Sequence, residues 1–234
     1  MKALLLGAGG LGGPAALSLV AAGVEVTIAD PDRVDPTNLS RQIFFGDADV
    51  GAPKADTLAH ALRERFPLAR AQAIDVRFSR DNAAALARGF DLVLDATDNF
   101  PTRFLANDVC ARLGLPLIHG AALGWLGQVL AIAPGRTPCL RCVFEGEPPV
   151  GEVPACAQAG VISPLVGVVG GWMAQAALAI VRDRALGRWA NAMRTLDGWS
   201  GVERWVPVGR DPLCPACGLA REGNRALDRE GAEC

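Results

Sequence analysis

Lysine is nearly missing from this chain of 234 residues. Of 23 basic side chains only Lys2 and Lys54 are lysines, leaving 21 arginines. Against 25 acidic residues the formal charge is −2, so no bulk field favours nucleic acid or an anionic membrane surface. Histidine is equally scarce. His60 falls mid-helix and reads as solvent-facing, and His119 reads as a packed or hydrogen-bonded imidazole, so neither makes a strong catalytic case. The start, Met1 to Gly7, lacks the apolar length of a signal peptide. Internal repeats and low-complexity tracts are absent. A fully paired disulfide framework is disfavoured too, since seven cysteines is an odd number and the chain is long for one. These absences point to a cytoplasmic protein whose cysteines do chemistry, bind metal or pack. What is present is apolar: 50% hydrophobic against 21% charged, which excludes a disordered or collagen-like chain and suits one α/β domain, with or without a small appendage.

Short apolar runs alternate with helical segments through the first 134 residues. Ala3 to Leu6, Val24 to Ala29, Ala71 to Val76, Phe90 to Ala96, Leu115 to His119 and Gly127 to Ala133 read as strands. Between them lie expected helices over 11–22, 53–66, 80–87 and 101–113, with Gly23 capping the first and Pro53 opening the second. The alternation predicts a doubly wound, mostly parallel sheet with helices on both faces. Residues 145–160 read as a loop, and 194–208 as an antiparallel hairpin turning near Gly198 and Gly201. Val161 to Val181 carries no charge over 21 residues, the length of a membrane span. Pro164, Gly167, Gly170, Gly171 and Gln175 interrupt it, and it reads instead as an internal helix on a large sheet. Phe44, Phe45 and the five tryptophans read as core or interface.

Gly7, Gly9, Gly10 and Gly12 form a G-x-G-x-x-G turn between the first strand and first helix, a geometry that lets backbone amides approach phosphate. Asp30 follows at the end of the second strand, where a carboxylate accepts ribose hydroxyls. This pattern alone does not separate NAD or FAD from ATP. The next connection holds Asn38, Arg41, Gln42 and Lys54, and two cations beside a phosphate turn suit a polyphosphate undergoing reaction; ordinary solvated charges are the alternative. Asp98 stands just past the strand ending at Ala96, placed either to hold Mg²⁺ or to cap the following helix. Cys139 and Cys142 form one C-x-x-C pair, and Cys214 and Cys217 a second, separated from it by 71 residues. Two such pairs favour a structural tetrahedral Zn²⁺ over redox chemistry or two local disulfides. Cys110 reads as core packing and the terminal Cys234 as without a role, which leaves Cys156 as the one thiol with a claim to reactivity.

Together these motifs resemble the ThiF/MoeB/HesA group of E1-like (ubiquitin-activating-type) adenylating enzymes. The likeness covers residues 3–218 and rests on the glycine turn, Asn38 to Gln42, Gly51 to Lys54, Thr97 to Asn99, the loop cysteine Cys156 and the C-x-x-C pairs. It implies a Rossmann-like domain over 1–218, with a nucleotide-binding core at 1–134, zinc knuckles and C-terminal antiparallel strands at 135–218, and a polar tail at 219–234. It also implies ATP-dependent adenylation of the C-terminal Gly-Gly carboxylate of a small ubiquitin-like sulfur-carrier protein, for thiocarboxylate formation in thiamin, molybdopterin or related sulfur transfer. By this resemblance Gly7, Gly9, Gly10, Gly12, Asp30, Asn38, Arg41, Gln42, Lys54, Asp98 and Asn99 bind the nucleotide, and Asp98 holds Mg²⁺. Arg41, Lys54 and Asp98 carry the chemistry, and Cys156 is a candidate for acyl or persulfide transfer. A homodimer and a cysteine desulfurase or rhodanese-type sulfur donor are the implied partners. Members of the group usually carry a segment before the first strand that lends an Arg to the neighbouring subunit's ATP. Here the first strand begins at Ala3, so that segment is expected to be absent. A nicotinamide-dependent oxidoreductase and a non-catalytic scaffold are the alternatives.

Overall fold

The structure is a computed structural model that describes residues 1–144, 146–149, 160–181 and 186–218. One sheet of eight strands runs in the order β3-β2-β1-β4-β5-β6-β7-β8. β1 (Lys2–Leu6), β2 (Glu25–Ala29), β3 (Ala71–Ile74), β4 (Leu92–Asp95) and the start of β5 (Leu117–Leu123) pair in parallel. From β5 onward, β6 (Leu126–Ile132), β7 (Ala192–Asp197) and β8 (Val202–Pro207) join antiparallel. Side chains alternate across the parallel strands, as a pleat requires. Leu5, Val26, Ile28, Leu92 and Leu94 face one core with helices α1 (Gly12–Ala21), α2 (Lys54–Arg65) and a long C-terminal helix, while Leu4, Leu6 and Val93 face another with α3 (Ala83–Ala87) and α4 (Phe100–Leu113). Strands covered on both sides read as unbroken apolar runs, which is how the sequence displays them.

The short α5 (Leu140–Val143) precedes α6 (Ser163–Val181), the charge-free segment. Half of its most apolar stretch is buried, and Leu165, Val169, Met173 and Ala177 pack into the same core as β5, β6 and α1. Gly170 permits the crossing with α1, because a Cβ there would meet the Leu11 carbonyl at 2.6 Å. Burial against the sheet accounts for the apolarity of α6.

Element boundaries shift by one or two residues in several places, the strand read over 90–96 being Leu92–Asp95, and three shifts are instructive. The strand expected over 115–119 starts at Leu117 and continues to Leu123, because Leu115 N is held by Cys110 O at the end of α4. The expected 71–76 strand stops at Ile74, and the helix expected from Arg80 begins at Ala83.

Candidate functional site

A crevice of about 570 Å³ opens at the C-terminal ends of β1, β2 and β4. The strand order reverses there between β1 and β4, where open α/β sheets bind ligands. Gly7, Gly9 and Gly10 line it. Gly7 adopts φ +94°, and a Cβ on it would lie 2.9 Å from Ala96 O, so only glycine fits between β1 and the loop after β4. Gly12 differs from expectation. It does not line the crevice; it packs on the Gly7 carbonyl and lets α1 seat against β1. Leu11 offers no side-chain cap, Gly13 N is held by Gly9 O at 3.0 Å and Pro14 has no N–H, so the first turn of α1 is closed largely by its own backbone.

Asp30 is buried at the end of β2. Its Oδ2 accepts from Ala8 N at 2.7 Å and its Oδ1 from Asp32 N at 2.8 Å, and each oxygen has capacity for a further bond beyond these among the described residues. Burial raises its pKa above the ordinary 3.8, even though both N–H bonds and the Lys54 charge pull it down. Across the crevice, Asn38 Oδ1 accepts from Gln42 Nε2 at 2.9 Å and from Arg41 Nη2 at 3.3 Å. Gln42 Oε1 is buried and accepts no hydrogen bond among the described residues. Lys54, the first residue of α2, is buried with its Nζ 3.2 Å from Asp32 Oδ2. An ammonium carries three donors, so two remain for a ligand.

Asn99 Oδ1 caps α4 through Thr102 N at 3.0 Å. Asp98 is therefore not the cap, and its exposed carboxylate lines the crevice beside Asn99. Below this loop the carboxylate of Asp95 faces His119 Nδ1 at 2.8 Å, both fully buried, so His119 is the hydrogen-bonded imidazole its position implied. Burial pushes the Asp95 carboxyl up. The hydrogen bond and charge of His119, the charge of Arg103 and the bond from Thr97 outweigh it and hold the group below 3.8.

The four sulfurs of Cys139, Cys142, Cys214 and Cys217 lie within 4.8 Å of one another. Neighbouring pairs stand 3.4 Å (Cys142–Cys217), 3.5 Å (Cys139–Cys214) and 3.9 Å (Cys139–Cys142) apart, and none is disulfide-bonded. Metal–sulfur bonds of about 2.3 Å in a tetrahedron require sulfur–sulfur edges of roughly 3.8 Å, so the cluster has the size of a closed metal site. Hydrogen bonds from the other thiols, Cys139 first, draw Cys217 down to about 5, the thiolate character a ligand needs. Asn107 and Asp211 N point donors at Cys139 Sγ (3.8 Å) and Cys142 Sγ (3.5 Å). Cys110 packs in the core, where burial and the Asp95 charge push its thiol up to about 12. Cys156 and Cys234 lie outside the described residues.

The crevice also holds residues the sequence reading missed. Arg103, nearly buried, donates from Nε and Nη2 to Thr97 O at 3.1 and 2.8 Å, and Arg77 and Phe78 line the wall beyond β3. Arg77 and Phe78 follow a strand end, the signal that located Asp30. Arg103 reaches back from α4, and no motif announces that.

The match to the ThiF family spans residues 1–216. The sulfur carrier protein adenylyltransferase of Thermus thermophilus is 42% identical, over 97% of this chain and 86% of its own. The SAMP-activating enzyme E1 of Haloferax volcanii is 39% identical, over 93% and 80%. The adenylyltransferase and sulfurtransferase MOCS3 of Dictyostelium discoideum is 37% identical, and the match spans about half of its length (51%). Among solved structures, E. coli MccB with ATP superposes at a TM-score of 0.81 with 21% identity, over 92% of this chain and 66% of that one, which shows a shared fold. A family match along nearly the whole sequence, joined to a relative 42% identical over 97% of it, means that this chain belongs to the ThiF family.

Proposed function

We propose that this chain adenylates the C-terminal Gly-Gly carboxylate of a small ubiquitin-like sulfur-carrier protein. One observation carries the reading: a single crevice gathers the glycine turn, Asp30, Arg41, Lys54 and Asp98. The names of the relatives, sulfur carrier protein adenylyltransferase and SAMP-activating enzyme, point to the same class of substrate. In the reaction, a carboxylate oxygen of the carrier bonds to the α-phosphorus of ATP, the bond from that phosphorus to the β-bridging oxygen breaks, and pyrophosphate leaves with the electron pair. Bringing two unit charges to 4 Å costs about 4 kcal/mol at an effective dielectric of 20. Arg41 and the two spare donors of Lys54 offset that repulsion. Asp30 accepts the ribose hydroxyls, Gly9 and Gly10 receive phosphate, and Asn38, Gln42 and Asn99 orient the nucleotide. Asp98 is an uncapped carboxylate of the hard-oxygen kind Mg²⁺ takes, and Mg²⁺, when bound, neutralises phosphate charge.

The four thiols suit a structural Zn²⁺ that ties residues 214–217 to the rest of a single adenylation domain, 1–218, with 1–134 as its nucleotide core and 219–234 as a tail. Unpaired thiols in a zinc site fit a cytoplasmic setting. A homodimer, a sulfur donor of desulfurase or rhodanese type, and a thiamin or molybdopterin pathway belong to the same reading, with Cys156 as the thiol for any covalent step. An oxidoreductase would leave Arg41, Lys54 and the thiol cluster without a task.

The test is exchange of labelled pyrophosphate into ATP. It is expected with Mg²⁺ and a Gly-Gly-ended carrier, and is expected to vanish in Arg41→Ala and Asp98→Ala. Carrier binding without exchange would instead indicate a scaffold, and tight NADH binding without ATP binding an oxidoreductase.

A further inference from the structure

The loop that presents Asp98 is gripped by two side chains that do not line the crevice, Asp95 and His119. Asp95 closes β4 and stands in register with His119 on β5. While Oδ2 of Asp95 faces the imidazole, its Oδ1 accepts from Thr97 Oγ1 at 2.6 Å and Thr97 N at 3.1 Å. Arg103 holds the Thr97 carbonyl from the other side, and Ala96 O lies against the space that a Cβ on Gly7 would fill. Every polar atom of Thr97, the residue next to Asp98, is thus engaged.

A buried carboxylate–imidazole pair does little for a sheet as such. An apolar pair of similar volume at the same register would pack there without the desolvation cost of the charge. An apolar pair has no acceptor for Thr97. With Nδ1–H directed at Oδ2, His119 fixes the rotamer that aims Oδ1 at the loop.

We propose that Asp95 and His119 are positioning residues for Asp98, acting through Thr97 to hold its carboxylate where the divalent cation of a bound nucleotide sits. The inference rests on the reading that Asp98 holds that cation. It extends to β5 the outer layer of hydrogen bonds that orients a ligating carboxylate.

Calorimetric titration of ATP into the whole chain at stepped Mg²⁺ concentrations tests it without a carrier protein. In the unaltered chain ATP affinity is expected to climb with Mg²⁺, and in Asp98→Ala the climb should disappear. Thr97→Val replaces the relaying hydroxyl with a methyl group, and His119→Leu removes the imidazole donor. Each should raise the Mg²⁺ concentration at half the climb by roughly tenfold, with Mg²⁺-free ATP affinity kept within about twofold. His119→Asn restores a donor near the Nδ1 position and should recover most of the shift. Packing damage alone would not show that rescue. If Asp98→Ala flattens the climb while Thr97→Val and His119→Leu keep the original midpoint, positioning is overturned and the reading of Asp98 stands. If Asp98→Ala keeps the climb, both fall. An equal loss of affinity with and without Mg²⁺ also overturns positioning. Should His119→Leu fail to fold, Thr97→Val decides alone, since Thr97 is half-buried and keeps its N–H bond.

Discussion

In the crevice, the Lys54 ammonium has one partner among the described residues, at 3.2 Å, and that partner, Asp32, is itself mostly exposed. Gln42 buries an oxygen that meets no donor among the described residues, and the Asp98 carboxylate is left out of the helix cap. Beyond the crevice, two arginines are matched to carboxylates. Arg141 grips Asp108 with two bonds of 2.8 and 2.9 Å beside the thiol cluster. Arg194 on β7 makes two bonds to Glu203 (2.9 and 3.1 Å) and one to Gln175 (3.0 Å), with its guanidinium 3.7 Å from the Trp172 ring centroid. Such pairs satisfy themselves and tie the thiol cluster to α4, and the outer strands to α6. Groups left under-paired in a cleft contribute less to folding and keep donors and acceptors for a ligand. The contrast separates residues that hold the molecule together from residues proposed to do its chemistry.

Breaking the matched side should cost stability before activity. Cys214→Ser removes one thiol of the proposed zinc site and is expected to lower stability by several kcal/mol, with loss of the zinc that the unaltered chain should carry. Thermal melting and metal analysis read both. ATP affinity falling as steeply as stability would blur the contrast. On the crevice side, Lys54→Met should reduce pyrophosphate exchange about a hundredfold or more while the melting temperature stays nearly unchanged, because a buried ammonium with one exposed partner contributes little to folding. A melting temperature that drops with the activity would assign Lys54 to the scaffold. The smallest effect concerns Glu203, which the Arg194 hydrogen bond and charge hold below its ordinary 4.5. A depressed carboxylate stabilises the fold above 4.5 and loses that contribution as pH falls through the lower folded-state value. The stability gap between the unaltered chain and Glu203→Gln should therefore be present at pH 7 and close on acidification below 4.5. Melting curves across that range follow it, and a gap that widens instead would refute the pairing.

Much of this was legible beforehand. The parallel strands announce themselves because burial on both faces makes them continuously apolar, and Gly7 and Asp30 sit where strand-end chemistry puts ligand groups. The two C-x-x-C pairs foretold the convergence of four thiols across 71 residues. Other features were not legible. Gly12 fits the fingerprint, yet it serves helix packing, since whether a glycine meets a phosphate or a carbonyl depends on how the helix seats. Whether Asp98 holds a cation or caps α4 is open in the sequence, and only the extended backbone at Asn99 gives the cap to that residue instead. Arg103 and the Asp95–His119 pair left no motif, since both arise from contacts between separate elements.

The doubly wound sheet and the family follow from the sequence alone, as do most of the groups proposed for nucleotide and metal. Local pattern suffices for these, because periodicity and strand-end position are properties of neighbours in the chain. Tertiary structure alone decided which charges are matched and which are left available. That balance depends on partners 22 residues apart for Lys54 and Asp32, and 33 apart for Arg141 and Asp108. Folding brings them together, and the scarce internal lysine proves to be an ammonium buried at the crevice wall with two donors to spare.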